Sequence, residues 1–220
     1  MSEAWTQGDG SATDSAWLTD WRRRITALYA EVRAMAVAEP AVALAHWRAV
    51  RDRLYREHPQ SPVPMGARTA FVAAHFEHDP SLRFEVVVEP APPPAPGAFE
   101  LELPNSGADH LSFARVGRIT IPLADGPRSL SVFWMAGYAG GLFIPFRDGT
   151  NGAETYGAGR YLIDTAKGAD LGGTPEDGTL IVDFNFAFQP SCAFDPRWAC
   201  PLAPPENRLD VPIRAGERLG

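Results

Sequence analysis

RITIPLADGPRSLSVFWM (118–135) reads as two short strands, 118–123 and 128–135, folded back on each other at Asp125-Gly126. Both arms are rich in β-branched and aromatic residues, and Asp-Gly is a favoured pair for a tight hairpin turn. The pattern continues on either side, at LRFEVVVE (82–89), FELEL (99–103), HLSFARV (110–116), GLFIPF (141–146), GRYLID (159–164) and TLIVDFNFAF (179–188). Further turns stand at Gly140-Gly141 and Asp177-Gly178. No helix-length apolar stripe lies between these segments. Close spacing with tight turns therefore predicts an antiparallel sheet, not a parallel βαβ one.

Upstream, the apolar period lengthens to that of a helix. Leu18, Trp21, Ile25, Leu28, Val32 and Met35 fall at alternating spacings of three and four, after a start at Thr13, Asp14 or Ser15. A second helix opens at Pro40, carries Leu44, Trp47, Val50 and Leu54 on one face, and must stop by His58 because Pro59 cannot continue it. The tryptophans and Met35 read as core. The expected fold is α+β: an N-terminal helical hairpin packed on a mainly antiparallel β-barrel or β-sandwich, with a Pro-rich C-terminal coil. The expected organisation is a disordered tail (1–13), the hairpin (14–58), a connector with one strand and a Pro-rich segment (59–98), and a β-domain with its C-terminal wrap (99–220). Within that wrap, LDVPIR (209–214) is a candidate short strand.

The chain has 220 residues and a formal charge of −7. A domain of this size buries about 70% of its extended surface, enough for a core without staples. No basic surplus is available to neutralise phosphates, which excludes a general nucleic-acid binder. No run of about 18 apolar residues exists to span a membrane, and the polar N-terminus is unlike a signal peptide. The expectation is a soluble cytoplasmic protein, with a homodimer compatible. Lysine occurs once, at Lys167, against 19 arginines. With Ala, Gly and Pro also abundant, this reads as coding bias and not as a catalytic lysine.

Three segments carry a resemblance: LFIPFRDGTNGAETYGAGRYLID (142–164), the stretch from Asp183 to Arg218, and WRAVRDRLYREHPQSPV (47–63). Across residues 17–218 the chain resembles the bacterial and archaeal family DUF1684. The resemblance implies that the two long motifs belong to one fold. It implies no activity, so the chemistry rests on the residues.

FRDGTNGAETYGAGRY (146–161) gathers polar groups into a Gly-rich turn between two strands. Arg147 and Arg160 could clamp a carboxylate or phosphate, with Asp148 beside them. Glu154 or Asp148 could act as general base if burial raised its pKa. The alternative is a buried Arg–carboxylate network that holds the loop. Neither the P-loop nor the dinucleotide glycine pattern is present. In DFNFAF (183–188), a strand would put Asp183 and Asn185 on one face and the three phenylalanines on the other. Glu206, Asn207 and Arg208 follow two prolines and could complete a site or tie the tail to the sheet.

Cys192 and Cys200 do not complete a zinc site and read as packed thiols, with a disulfide, a metal or a nucleophile as lesser alternatives. His75 and His78 have metal-compatible spacing without further ligands. The leading expectation is a small enzyme acting on a small polar, anionic molecule by hydrolase, lyase or isomerase chemistry. Its catalytic residues would be Glu154, Asp183 and Tyr156, and its substrate-binding residues Arg147, Asp148, Arg160, Asn185, Glu206, Asn207 and Arg208. No cofactor is predicted, with flavin or metal not excluded. The alternatives are a small-molecule binding module and a structural partner-binding domain.

Overall fold

The computed structural model describes residues 11–92, 101–102, 112–136 and 140–220, with 101–102 described as backbone. The disordered-tail reading of 1–10, the core of the Pro-rich segment, and parts of the strands expected at 99–103 and 110–116 lie outside these residues.

Helix α1 (Ala12–Ala36) begins slightly ahead of the expected start, because the Ser11 hydroxyl accepts the Asp14 N–H at 3.1 Å and caps the first turn. Helix α2 (Pro40–Glu57) has proline in its first turn, where the missing N–H costs nothing. A one-turn helix, α3 (Met65–Arg68), follows. The α1–α2 hairpin buries Ile25, Leu28, Tyr29 and Val32 from one helix and Ala43, Leu44, Trp47 and Leu54 from the other. Each large apolar side chain so buried contributes roughly 1.5–3 kcal/mol.

The strands are β1 (Ala74–His75), β2 (Arg83–Val87), β3 (Glu89–Pro90), β4 (Leu101–Glu102), β5 (Ser112–Leu123), β6 (Gly126–Met135), β7 (Leu142–Phe146), β8 (Arg160–Asp164), β9 (Thr179–Asp183) and β10 (Glu217–Arg218). All pairings are antiparallel, as the turn chemistry predicts. The largest sheet runs β3-β5-β6-β7-β8, with β4 also on β5. Pairs β2–β9 and β1–β10 stand as separate two-stranded sheets.

Three expectations need correction. The large sheet does not close into a barrel among the described residues: after β8 the chain turns away, and β9 pairs with β2 instead of extending the sheet. The segments 110–116 and 118–123 are not two strands, since β5 is one strand with a bulge between Arg115 and Gly117. TLIVDFNFAF is a strand only to Asp183, whose carboxylate accepts the Asn185 N–H at 2.9 Å and starts a 3-10 turn at Phe184–Phe186. Asp183 and Asn185 therefore do not share a strand face. The phenylalanines part as well: Phe184 packs with Ile144 and Phe146, whereas Phe186 and Phe188 pack under the hairpin.

The sheet is covered on both sides. One face holds Phe113, Phe133, Phe143 and Tyr161 against the helices; the other holds Ile119, Val132, Ile144 and Leu162 against Val182, Leu209 and Ile213. The stretch LDVPIR forms no strand. It is held by backbone bonds from Gly149 N to Val211 O and from Leu209 N to Arg147 O. At the free edge of β8, Tyr161 and Phe188 exchange backbone bonds at 2.9 and 3.1 Å, which brings residues 189–191 beside the hairpin. That junction forms a cleft.

Candidate binding cleft

The Gly-rich loop is knitted inward. Arg160 is fully buried; it donates to Asp148 Oδ2 at 2.7 Å and to the carbonyls of Ile213, Ala215 and Glu217. Asp148 Oδ1 accepts from the Thr150 N–H and hydroxyl at 2.7 and 2.5 Å. Desolvation lowers the pKa of Arg160, and Asp148 opposes that effect. Little of either group remains to hold a ligand. Arg147 donates its side-chain Nε to Ala158 O at 3.4 Å.

Glu154 is at the surface, gripped by Arg214 through contacts of 2.9 to 3.1 Å that lower its pKa. That is the reverse of what a general base at neutral pH requires. Tyr156 is half-buried, its pKa pushed up to about 12 by burial and by Cys192.

The other expected residues are dispersed. Asn185 joins the Asp79 backbone through both amide atoms at 2.8 and 2.9 Å, and its Nδ2 also donates to Asp183. Burial raises the Asp183 pKa, opposed by the Asn185 bonds and by Arg83 at 3.4 Å. Asn207 is fully buried and staples β6 to β7 by bonding Ser131 N and O and Pro145 O at 2.8 to 3.0 Å. Glu206 pairs with Arg115 at the surface, and Arg208 is exposed. The structure brings Arg160 and Asp148 together. It leaves Asp183 with residues 79–83, and Glu154 with Arg214.

The cleft lies elsewhere, between α1, the turn after β8, and residues 189–200. Its outer cavity, of about 90 Å³, is lined among others by Trp21, Arg22, Lys167, Ser191, Trp198 and Cys200. Lys167 is placed by a closed turn. Asp164 and Ala169 exchange backbone bonds at 2.9 Å each, and Thr165–Lys167 forms a 3-10 turn ended by Gly168 at φ 79°. A Cβ on Gly168 would meet Thr26 Oγ1 at 2.5 Å, so glycine is what lets this turn lie on α1.

The Lys167 ammonium stands 3.3 Å from Asp164 Oδ2. Burial pulls its pKa down, but Asp164 and Cys200 together outweigh burial and the net shift is upward. Cys200 accepts the Cys192 N–H at 3.4 Å; the neighbouring thiol and burial push its pKa up. Neither cysteine is in a disulfide. Trp198 bonds Pro62 O at 3.2 Å and closes one wall; Trp21 stacks on Tyr55 at 6.0 Å, packs against the core as its stripe suggests, and is partly buried because its other side lines this wall.

Sequence reasoning passed over Lys167 because a single lysine in an arginine-rich chain carries no local motif. The available signal was an ionisable residue three after an aspartate at the end of an apolar strand. Among the described residues no cluster of three or more His, Cys, Asp and Glu side chains could hold a metal, and no helix is long and apolar enough to cross a membrane. His75 and His78 thus do not form part of such a cluster.

The sequence model for the family described as "Protein of unknown function (DUF1684)" matches residues 72–218. The chain belongs to the DUF1684 family. The match includes Lys167 and the C-terminal residues that grip Arg160, and leaves the α1–α2 hairpin outside it. A similar solved structure is the solution NMR structure of an uncharacterized protein of Haloarcula marismortui. It shares 32% identity at a TM-score of 0.57, over 81% of this chain and 93% of that one. That coverage takes in more of this chain than the DUF1684 match does. No curated protein matches.

Proposed function

We propose that the protein binds a small anionic molecule in the cleft, with Lys167 as its charge partner. The observation that carries this reading is that two cationic side chains, Lys167 and Arg22, line the outer cavity, with no carboxylate among its described lining residues. Lys167 is held charged by Asp164 and keeps a third of its side chain exposed. Such a lining favours an acceptor-rich, negatively charged guest.

The test is a thermal-shift and ligand-observed NMR screen of short carboxylates and phosphate esters against the wild type and Lys167→Met. The expected result is a stabilising ligand whose effect disappears in Lys167→Met, while the ligand-free variant itself melts lower because buried Asp164 has lost its partner. Equal binding by both proteins would overturn the assignment.

A catalytic reading of the same cleft has one observation in its favour. Asp164 is buried, and its Oδ1 has no hydrogen-bond partner among the described residues. Asp164 is not among the residues that line the cleft, so its part in hydrolase, lyase or isomerase chemistry would be to hold Lys167, which is. Turnover that is lost in Asp164→Asn while ligand affinity survives would make the protein an enzyme; ligand retention without turnover would make it a binding module.

A further inference from the structure

Behind the outer cavity lies an inner one of about 50 Å³, and the two share Trp21, Pro62, Lys167 and Ser191 as a common wall. Ile25, Tyr29, Tyr55, Tyr161 and Phe188 make the inner walls largely aromatic. Among the described residues Gln189 Oε1 accepts no hydrogen bond, and Tyr29 Oη, towards which Trp47 acts as a donor, has no acceptor for its own proton; the two residues are only 7% and 1% exposed. The Gln189 amide nitrogen donates to Arg218 O at 3.2 Å and its backbone N–H to Glu217 Oε2 at 2.7 Å, so the side chain is anchored. Arg51, also in the lining, is committed to Glu217 and Tyr55. A buried hydroxyl and a buried carbonyl left unmatched cost free energy that a suitable guest would recover.

A guest group that accepts the Tyr29 proton and donates to Gln189 Oε1 satisfies both atoms. A carboxylate can only accept and leaves Gln189 unmatched; an ammonium can only donate and leaves the Tyr29 proton unmatched. A hydroxyl does both, as does a water molecule, which the hydroxyl of a guest would displace. We infer that the inner cavity is a hydroxyl-recognition subsite, so that the anion held at Lys167 is a short hydroxy acid; this rests on the reading of the cleft as an anion site. The outer cavity takes the carboxylate end and the inner one the hydroxyl end.

The experiment is isothermal titration of ω-hydroxyalkanoates of three to six carbons, each beside its unsubstituted alkanoate, into wild type, Tyr29→Phe and Lys167→Met. One chain length is expected to bind at least tenfold tighter with the hydroxyl than without it. Tyr29→Phe is expected to remove that preference while leaving the unsubstituted acid's affinity unchanged, and Lys167→Met to weaken both. If hydroxylated and plain acids bind the wild type equally and both depend on Lys167, the hydroxyl subsite falls and the anion site stands. If neither series binds, both readings fall.

Discussion

Arg160 and Lys167 are both basic side chains beside a buried aspartate, and their exposure separates what they do. Arg160 has no contact with solvent and spends its donors on Asp148 and three carbonyls of residues 213–217. Arg160→Met would leave the Asp148 carboxylate buried without its partner. We expect a loss of about 3–5 kcal/mol, the cost of breaking a buried ion pair from one side, read as a lower urea midpoint; unchanged stability would reopen the clamp interpretation. Lys167 keeps a third of its side chain exposed, so its removal is expected to cost binding in addition to the stability lost when buried Asp164 is left unpaired. A list of polar residues in the 146–161 loop is legible in the sequence, and so is the choice between ligand clamp and internal network. Which alternative holds is decided by carbonyls more than fifty residues downstream. Nothing in the local spacing of Arg147, Glu154 and Arg160 reveals those acceptors.

At the level of elements, the turn between β8 and residue 169 matters most to the cleft, because it fixes Lys167 against α1. Gly168→Ala would add a left-handed residue, costing roughly 1–2 kcal/mol, and a clash with Thr26 that only movement of α1 relieves. The expected outcome is a folded protein with a lower melting temperature and weakened ligand binding; unaltered affinity would mean that the turn and helix are not coupled. The helices and the β5–β6 hairpin could be read from periodicity, since burial there follows a single period. DFNFAF could not. Its alternating phenylalanines imitate a strand, yet the short Asp183 side chain bonds the backbone two residues on, a competing turn signal that ends the strand and sends Phe184 and Phe186 to different cores. The barrel expectation failed for a related reason: strand count says nothing about whether β9 returns to β8 or, as it does, pairs with β2.

For the whole molecule, acid stability should be governed by histidines packed within the hairpin and against it. His58 lies between Trp17 and Trp21, accepts the Gln60 N–H at Nδ1 and meets Asp20 through Nε2 at 3.2 Å. Burial lowers its pKa, with Asp20 opposing; burial likewise lowers that of His75, with Glu217 opposing. A histidine that protonates more readily unfolded than folded contributes stability above its ordinary pKa, and that contribution is lost as pH falls through that value towards the depressed one. Stability measured by urea melts should thus fall from pH 7 to pH 5, and His58→Gln should flatten the slope. Asp183 runs the other way. Its raised carboxyl pKa penalises the fold once pH climbs past it and not below the ordinary value of 3.8, so Asp183→Asn should gain on the wild type at pH 7 relative to pH 3.5. Residues 213–217 have a consequence of another kind. Both buried arginines, Arg51 and Arg160, find their acceptors there, so a ribosome must make residue 217 before either guanidinium can leave water. Until then the nascent hairpin and sheet carry two hydrated cations where the finished molecule has its interior, and completion of the core waits on the order of synthesis.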